Sequence, residues 1–154
     1  MKKRVGIIIL VLLLLILAGG GAAFYYYYSK YINIDAIYPG MTIQGMSVGG
    51  MTQEEAKAKV QEYVDKVSQE TVTLQVKKKE STFALSDIGL KCTNMDVVEK
   101  AYDFGKTGNV FKRVIEVRKL EKEGMDFPLT FSVDKAETRK VVKKKAKKFL
   151  AKKK

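Results

Sequence analysis

The sequence predicts a chain of the α+β class, in which an N-terminal transmembrane helix precedes one mixed α/β domain with a small, mainly antiparallel sheet. Residues 5–24 carry no charge, and thirteen of these twenty residues are Val, Ile, Leu or Phe. The later sequence mixes apolar spacings of three and four, typical of helices, with alternating segments typical of strands. These elements do not repeat as β–α–β units, which argues against a doubly wound fold.

The apolar segment is long enough to cross a bilayer, because twenty helical residues span roughly 30 Å. A basic triplet at residues 2–4 precedes it, and four consecutive tyrosines at 25–28 follow it, as interfacial aromatic residues do. We therefore predict a cytoplasmic basic stub at 1–4, a transmembrane signal anchor at 5–28 and a stalk at 29–36.

The basic triplet also predicts the topology, since positive residues stay in the cytoplasm. The protein is then a single-pass cell-membrane protein whose domain, residues 37–154, is extracellular. The alternative is a cleaved signal peptide, with the small residues of 18–23 as the cleavage region. Retention is favoured because the hydrophobic segment runs into the tyrosines without a polar stretch.

The net charge of +12 is concentrated at the two ends of the chain. Residues 135–154 contain eleven Lys or Arg against one acid, Glu137, whereas residues 5–134 carry a net charge of −1. An exported domain with a neutral body is not expected to bind nucleic acid. Its basic helix is predicted to face an anionic wall polymer, anionic lipid headgroups or only water, and the membrane is a partner through residues 5–28.

Histidine is absent and Cys92 is the single cysteine. This excludes an intrachain disulfide, Cys–His and Ser–His nucleophilic pairs and His-based metal sites. The carboxylates are scattered, and Glu54 and Glu55 fall in a first helical turn, where the helix dipole favours them. We predict no catalytic residue, no cofactor and no metal site; Cys92 is expected to be half-buried, and no residue identifies the ligand-binding site.

The domain is predicted to begin with a strand at 41–48, bulged at Gly45, and a tight turn at Gly49 and Gly50. The methionines that follow the repeated glycines are predicted to fill the core. Thr52 and Glu55 form a capping box that opens a helix. Its apolar positions recur at helical spacing: Ala56, Val60, Tyr63, Val64 and Val67.

A β-hairpin is predicted next, with an alternating strand at 71–77, a charged turn at 77–80 and a partner strand that carries Phe83 and Leu85. A glycine turn at Gly89 closes it. A second helix is expected to be capped by Asn94 or Thr93 and to end at Gly105. Its apolar residues are Val97, Val98, Ala101 and Tyr102.

A third helix, residues 110–120, has an apolar face formed by Phe111, Val114, Ile115 and, less clearly, Arg118. Alternation at 127–133 predicts a strand, which Pro128 places at a sheet edge. Asp134 and Glu137 form a second capping box. The predicted buried face of the last helix consists of Val142, Ala146, Phe149 and Leu150.

The segment Gly105-Lys106-Thr107 is similar to the end of a phosphate-binding loop. That motif requires a glycine five positions earlier, where this chain has Lys100, and a preceding strand, where it has a predicted helix. We reject a nucleotide-binding loop on both grounds.

The order of these motifs resembles a bacterial cell-wall family. Residues 38–52, YPGMTIQGMSVGGMT, followed by Glu55-Ala56, resemble the opening signature of the peptidoglycan-binding domain found N-terminal to YkuD-type L,D-transpeptidase and VanW-type domains. Later segments resemble the rest of that domain in order: residues 83–90, 101–109 and 131–134. The resemblance spans about residues 35–150.

The chain departs from this family at two places. Lys106 stands where the family usually has an arginine, and residues 90–93, Leu-Lys-Cys-Thr, do not match the Ser-x-Gly-Cys-like setting of the transpeptidase. The resemblance therefore implies a membrane-anchored, non-catalytic wall-binding module. Two alternatives remain: an N-terminal fragment of an L,D-transpeptidase acting in peptidoglycan cross-linking, or a charge-driven binder of anionic wall polymer or lipid through the basic C-terminal helix.

Overall fold

A computed structural model of the protein describes residues 2–31, 34–76 and 79–151. The elements in chain order are α1 (Lys2–Tyr31), β1 (Met41–Ile43), β2 (Met46–Ser47), α2 (Gln53–Gln69), β3 (Thr71–Val76), β4 (Lys79–Ala84), a 3₁₀ turn (Leu85–Ile88), β5 (Lys91–Cys92), α3 (Val97–Asp103), α4 (Val110–Glu123), β6 (Met125–Phe127), β7 (Phe131–Ser132) and α5 (Lys135–Ala151). The predicted α+β class is confirmed.

The strands form small sheets with the orders β2-β1-β6, β3-β4 and β5-β7. The β1–β6 pair is parallel and the other pairs are antiparallel. Because β1 pairs with β6, the start of the domain is hydrogen-bonded to a segment near its end.

The core lies where α2, α3 and α4 pack around β1. Its buried side chains belong to residues 37–129 and are mainly aliphatic: Ile37, Tyr38, Met41, Ile43, Val48, Ala56, Val60, Val64, Val97, Val98, Ala101, Val117, Leu120 and Leu129. The predicted inner face of α2 is confirmed at Ala56, Val60 and Val64, while Tyr63 and Val67 are half-buried.

The predicted strand at 41–48 is a tight hairpin instead of one bulged strand. Gln44 and Gly45 both have positive φ, 51° and 73°, which reverses the chain as primed hairpin turns do. As a result Ile43 pairs with Met46 and Thr42 with Ser47.

The capping box of α2 is confirmed, because the Thr52 hydroxyl accepts from Glu55 N and the Glu55 carboxylate accepts from Thr52 N. The β3–β4 hairpin is also confirmed. Leu85 lies in the 3₁₀ turn, which ends at Gly89 with a φ of 68°. Lys77 and Lys78, in the predicted hairpin turn, lie outside the described residues.

Neither Asn94 nor Thr93 caps α3, whose first flanking residue is Asp96. The Asn94 side chain instead accepts from Thr130 N at 2.7 Å and donates to Pro128 O at 2.9 Å. The predicted strand at 127–133 is correspondingly divided into β6 and β7 around Pro128, because its two halves pair with different strands. The expected end of α3 at Gly105 is confirmed by a φ of 69° there.

Asp134 caps α5 as predicted, since its carboxylate accepts from Ala136 N and Glu137 N. The other half of the predicted capping box is not formed, because Asp134 N donates to Ile88 O. Val142 and Ala146 are half-buried. The side chains of Phe149 and Leu150, predicted on the same face, lie outside the described residues.

Helix α1 contains a candidate membrane span, Gly6–Lys30, with a mean hydropathy of 2.9, and none of the span is buried against the rest of the protein. The helix continues through Ser29 to Tyr31, into the segment predicted as a stalk. Ile32 and Asn33 lie outside the described residues.

Candidate wall-binding and membrane-facing surfaces

Residues 37–51 are called the entry segment, and two of its glycines, Gly40 and Gly49, allow close packing of the backbone. Gly40 has a φ of +92°, and a Cβ there would lie 2.9 Å from Leu120 O. A Cβ at Gly49 would lie 2.9 Å from the Pro39 Cα. Met41 is fully buried, and Met46 and Met51 pack against the core, which confirms the prediction that the methionines fill the core.

The polar side chains of the entry segment are also used within the fold. The Asp126 carboxylate of β6 accepts from the Thr42 hydroxyl at 2.6 Å and from Gly45 N at 2.9 Å. These two bonds hold the pKa of Asp126 below its usual value. The Gln44 side chain accepts from Leu129 N at 2.8 Å. These hydrogen bonds of the entry segment thus join the β1–β2 turn to β6 and the residues that follow it.

A second set of contacts, the Tyr102 cluster of Asp35, Tyr102 and Lys106, links the segment after α1 to α3. The Tyr102 hydroxyl donates to the Asp35 carboxylate, and the same bond raises the pKa of the tyrosine. Lys106 Nζ lies 3.1 Å from the centroid of the Tyr102 ring, a cation–π contact. Among the described residues Nζ has no hydrogen-bond partner, and burial lowers the pKa of the lysine.

The neighbouring Gly105 is held by α4, because Arg113 Nε donates to Gly105 O at 2.9 Å. A Cβ at Gly105 would meet Val117 Cγ2 at 2.9 Å and the Tyr38 ring at 3.1 Å. Burial raises the pKa of Tyr38, and a hydrogen bond from Arg113 opposes that rise. Because Gly105 closes a helix and Lys106 covers a tyrosine ring, this segment is part of the framework and does not have the geometry of a phosphate-binding loop.

Cys92 is half-buried as predicted, and its thiol donates to Asn94 Oδ1 at 3.6 Å. Within residues 2–31, 34–76 and 79–151, no group of three His, Cys, Asp or Glu side chains could hold a metal ion.

Helix α5 presents the strongest charge of the described surface. Its cationic side chains between 135 and 147 are exposed except for Lys145, which is half-buried and donates to Thr82 O at 3.3 Å. The exposed ones are Lys135, Arg139, Lys140, Lys143, Lys144 and Lys147. In the described part of the chain, the salt bridges lie in α4 and at the start of α3 and involve none of these cations, although Lys140 interacts with Asp134 at longer range.

The apolar face predicted for α4 meets the core only at Val114, which is half-buried and packs against it. Val117 and Leu120 are the buried residues, whereas Phe111 and Ile115 are 82% and 68% exposed. The helix carries apolar residues on two faces, and periodicity does not tell which of them meets the core. The exposed residues Val110, Phe111 and Ile115, with the half-buried Val114 beside them, are called the apolar stripe below.

The apolar stripe and the outer end of α1 enclose a groove of about 390 Å³. Phe24, Tyr27 and Tyr28 line it from α1, and Arg118 lies at the stripe's end. The rings of Phe24 and Tyr28 stack with centroids 6.0 Å apart. The sequence signal for this surface is the apolar face at Phe111, Val114 and Ile115, which does not identify the partner of that face.

Residues 81–154 match the family model described as "Putative peptidoglycan binding domain". The match begins within β4 and ends beyond α5, so it includes the apolar stripe and the basic helix but not the entry segment. It supports a cell-wall binding module with peptidoglycan as the partner, and the family is generally non-catalytic. No curated protein and no solved structure gives a significant match.

Proposed function

We propose that the protein is a membrane-anchored, non-catalytic module that binds the cell wall through a domain at residues 37–154. The observation that carries the proposal is the match of residues 81–154 to a peptidoglycan-binding family. The unburied apolar helix α1 supplies an anchor of the right length. The absence of histidine from the sequence supports a binding role over nucleophilic catalysis.

The proposed topology places residues 1–4 in the cytoplasm, 5–28 in the membrane and the domain outside the cell. Membrane fractionation followed by protease treatment of intact cells tests it. We expect the protein in the membrane fraction and its domain to be cleaved from outside. A freely secreted product that starts near Ala23 would contradict the anchor.

We further propose that α5 is the surface that binds an anionic wall polymer. Its exposed cations recur at spacings of three and four, so like charges lie next to each other on the helix surface and repel. A polymer that carries one phosphate per repeat would relieve that repulsion and gain attraction to several lysines at once. Helix α5 packs on the domain through its half-buried residues, and this packing leaves the exposed cations accessible to a polymer.

The test is co-sedimentation of the full chain, in detergent, with purified walls and with walls stripped of anionic polymer. We expect binding to the intact walls that declines with salt and is largely lost near 0.4 M, where the Debye length is about 5 Å. Binding that survives both salt and stripping would show that recognition resides in the neutral body of the domain. No sedimentation under any condition would contradict a wall-binding function.

The association with YkuD-type or VanW-type domains remains part of this proposal. The genomic sequence beyond Lys154 tests it. A continuing reading frame with a His and a Ser-x-Gly-Cys-like segment would favour the L,D-transpeptidase alternative, while an immediate stop codon would favour a module that acts alone.

A further inference from the structure

The apolar stripe of α4 exposes large apolar side chains, whose contact with water is unfavourable. Phe111 and Ile115 lie one turn apart, and together with Val110, which is 45% exposed, they form a continuous apolar surface. Contiguous apolar patches of this kind mark sites where a protein meets another apolar phase. The position of the patch indicates which phase that is.

The stripe lines the same groove as Phe24, Tyr27 and Tyr28 of α1. If residues 5–24 cross the hydrocarbon core, Phe24 lies at its outer boundary and the tyrosines lie among the headgroups. Any side chain that borders these residues lies at the same depth. The stripe is therefore brought to the surface of the outer leaflet by the anchor itself.

We infer that α4 docks on the outer leaflet of the membrane, with Phe111 and Ile115 inserted at the boundary between headgroups and acyl chains and the groove filled by an acyl chain of a phospholipid. Arg118, at the end of the stripe, provides a guanidinium for the phosphate of the same lipid. Continuity with the aromatic end of α1 favours lipid over a second copy of the chain. The inference rests on the proposed membrane anchor.

This docking would fix the orientation of the domain. Amphipathic helices lie in the plane of the interface with their apolar face about 5–10 Å deep. With α4 held in that way, the domain is attached to the membrane by two elements, the anchor and the stripe, instead of by the anchor alone.

The absence of tryptophan from the chain allows a direct test. Phe111→Trp introduces one fluorophore at an exposed position, and Ile115→Trp introduces it one turn further along the stripe. Glu62→Trp, on the exposed side of α2, is the matched control. Each full-length variant is reconstituted in vesicles of phosphatidylglycerol and phosphatidylcholine that contain lipids with a nitroxide on the acyl chain.

We expect the emission of both stripe variants to shift to shorter wavelength in vesicles and to be quenched by the nitroxide several-fold more than that of Glu62→Trp. Equal, weak quenching of all three variants would overturn the inference. A blue shift that depends on protein concentration and occurs without nitroxide quenching would also overturn it, since the stripe would then be covered by a second copy.

Flotation of the same vesicles separates this inference from the proposed function. Protein that fails to float with the vesicles shows that the anchor is wrong, and the docking inference falls with it. Protein that floats but shows no quenching at the stripe leaves the anchor in place and overturns only the docking of α4.

Discussion

The entry segment and helix α5 differ in how they are attached to the fold. In the entry segment, Ile37, Met41, Ile43 and Val48 are completely buried, and its turn is hydrogen-bonded to β6. In α5, none of the side chains described, residues 135–147, is buried. One region forms the framework, and the other rests on the surface through its contacts with the 3₁₀ turn.

This difference shows that a specific sequence motif need not be a binding motif. Gly40 and Gly49 of the entry segment approach backbone atoms of the same chain, and Gly45 and Gly50 have positive φ, so packing and backbone conformation account for these glycines. The lysines of α5 have little positional specificity, yet they provide the charge that a polymer could recognise. Substitutions in the two regions should therefore affect different properties.

The largest expected effect is on stability and comes from Ile43→Ala. Removing a fully buried isoleucine side chain should lower the free energy of unfolding by about 4 kcal/mol. Val142→Ala, on half-buried α5, is the control, and we expect a loss of about 1 kcal/mol or less. Urea unfolding measures both; similar losses at the two positions would contradict the contrast between framework and surface.

A smaller effect is expected for Gly40→Ala, compared with Gly45→Ala. Both glycines have positive φ, so both substitutions carry the left-handed strain of about 1 kcal/mol. The Cβ at position 40 would also lie 2.9 Å from Leu120 O, whereas nothing lies within 4 Å at position 45. We expect a total loss of about 2–3 kcal/mol for Gly40→Ala; equal melting temperatures would show that the backbone approach is not limiting.

Asp126→Ala should lower the free energy of unfolding by less than Gly40→Ala does, about 0.5–1 kcal/mol at neutral pH. The reason is that the carboxylate is exposed and its hydrogen bonds are screened. The folded-state pKa of Asp126 lies below the ordinary value of 3.8. Its contribution is therefore complete above that value and is lost as the pH falls through the folded-state pKa.

Urea midpoints of Asp126→Ala and the unsubstituted protein, measured between pH 7 and pH 2, check this prediction. The two should converge at the acid end. Asp65→Ala, on the exposed side of α2, is the control and should cost little, because alanine's helix propensity offsets its lost bond from Gln61. A difference that grows toward low pH would contradict the assignment.

The smallest effect on stability is expected for the triple variant Arg139→Gln, Lys143→Gln and Lys147→Gln. These residues are four apart, so their removal relieves repulsion worth about 0.2–0.5 kcal/mol per adjacent pair. We expect the melting temperature to stay the same or to rise slightly in low salt. A marked decrease would show that these side chains hold α5 on the domain.

The elements that the sequence predicts well are defined by neighbouring residues. Thr52 and Glu55 are three positions apart, and the alternation in β3 and β4 involves one hairpin, so local pattern is sufficient for both. The predictions fail where contacts with a segment distant in sequence determine the local structure. The turn at Gln44 is stabilised by Leu129 N, and the interruption at Pro128 accompanies the bridge from Asn94.

The two candidate surfaces show the same limit. The charge of α5 can be predicted from composition alone, because residues 135–154 contain eleven Lys or Arg and only one acidic residue. The sequence predicts the apolar face of α4 but not what covers it, because periodicity identifies an apolar face without identifying its partner. No ligand-binding residue could be predicted from the sequence, because its most specific motif, at residues 38–52, is used within the fold.

Wall binding by the α5 triple variant tests the central claim most directly. Its control replaces three exposed lysines elsewhere, Lys57→Gln, Lys66→Gln and Lys122→Gln, so that both variants lose the same charge. The account predicts that co-sedimentation with intact walls in low salt falls several-fold for the α5 variant and changes little for the control. Equal binding by the two variants would show that α5 is not the binding surface and would contradict the claim.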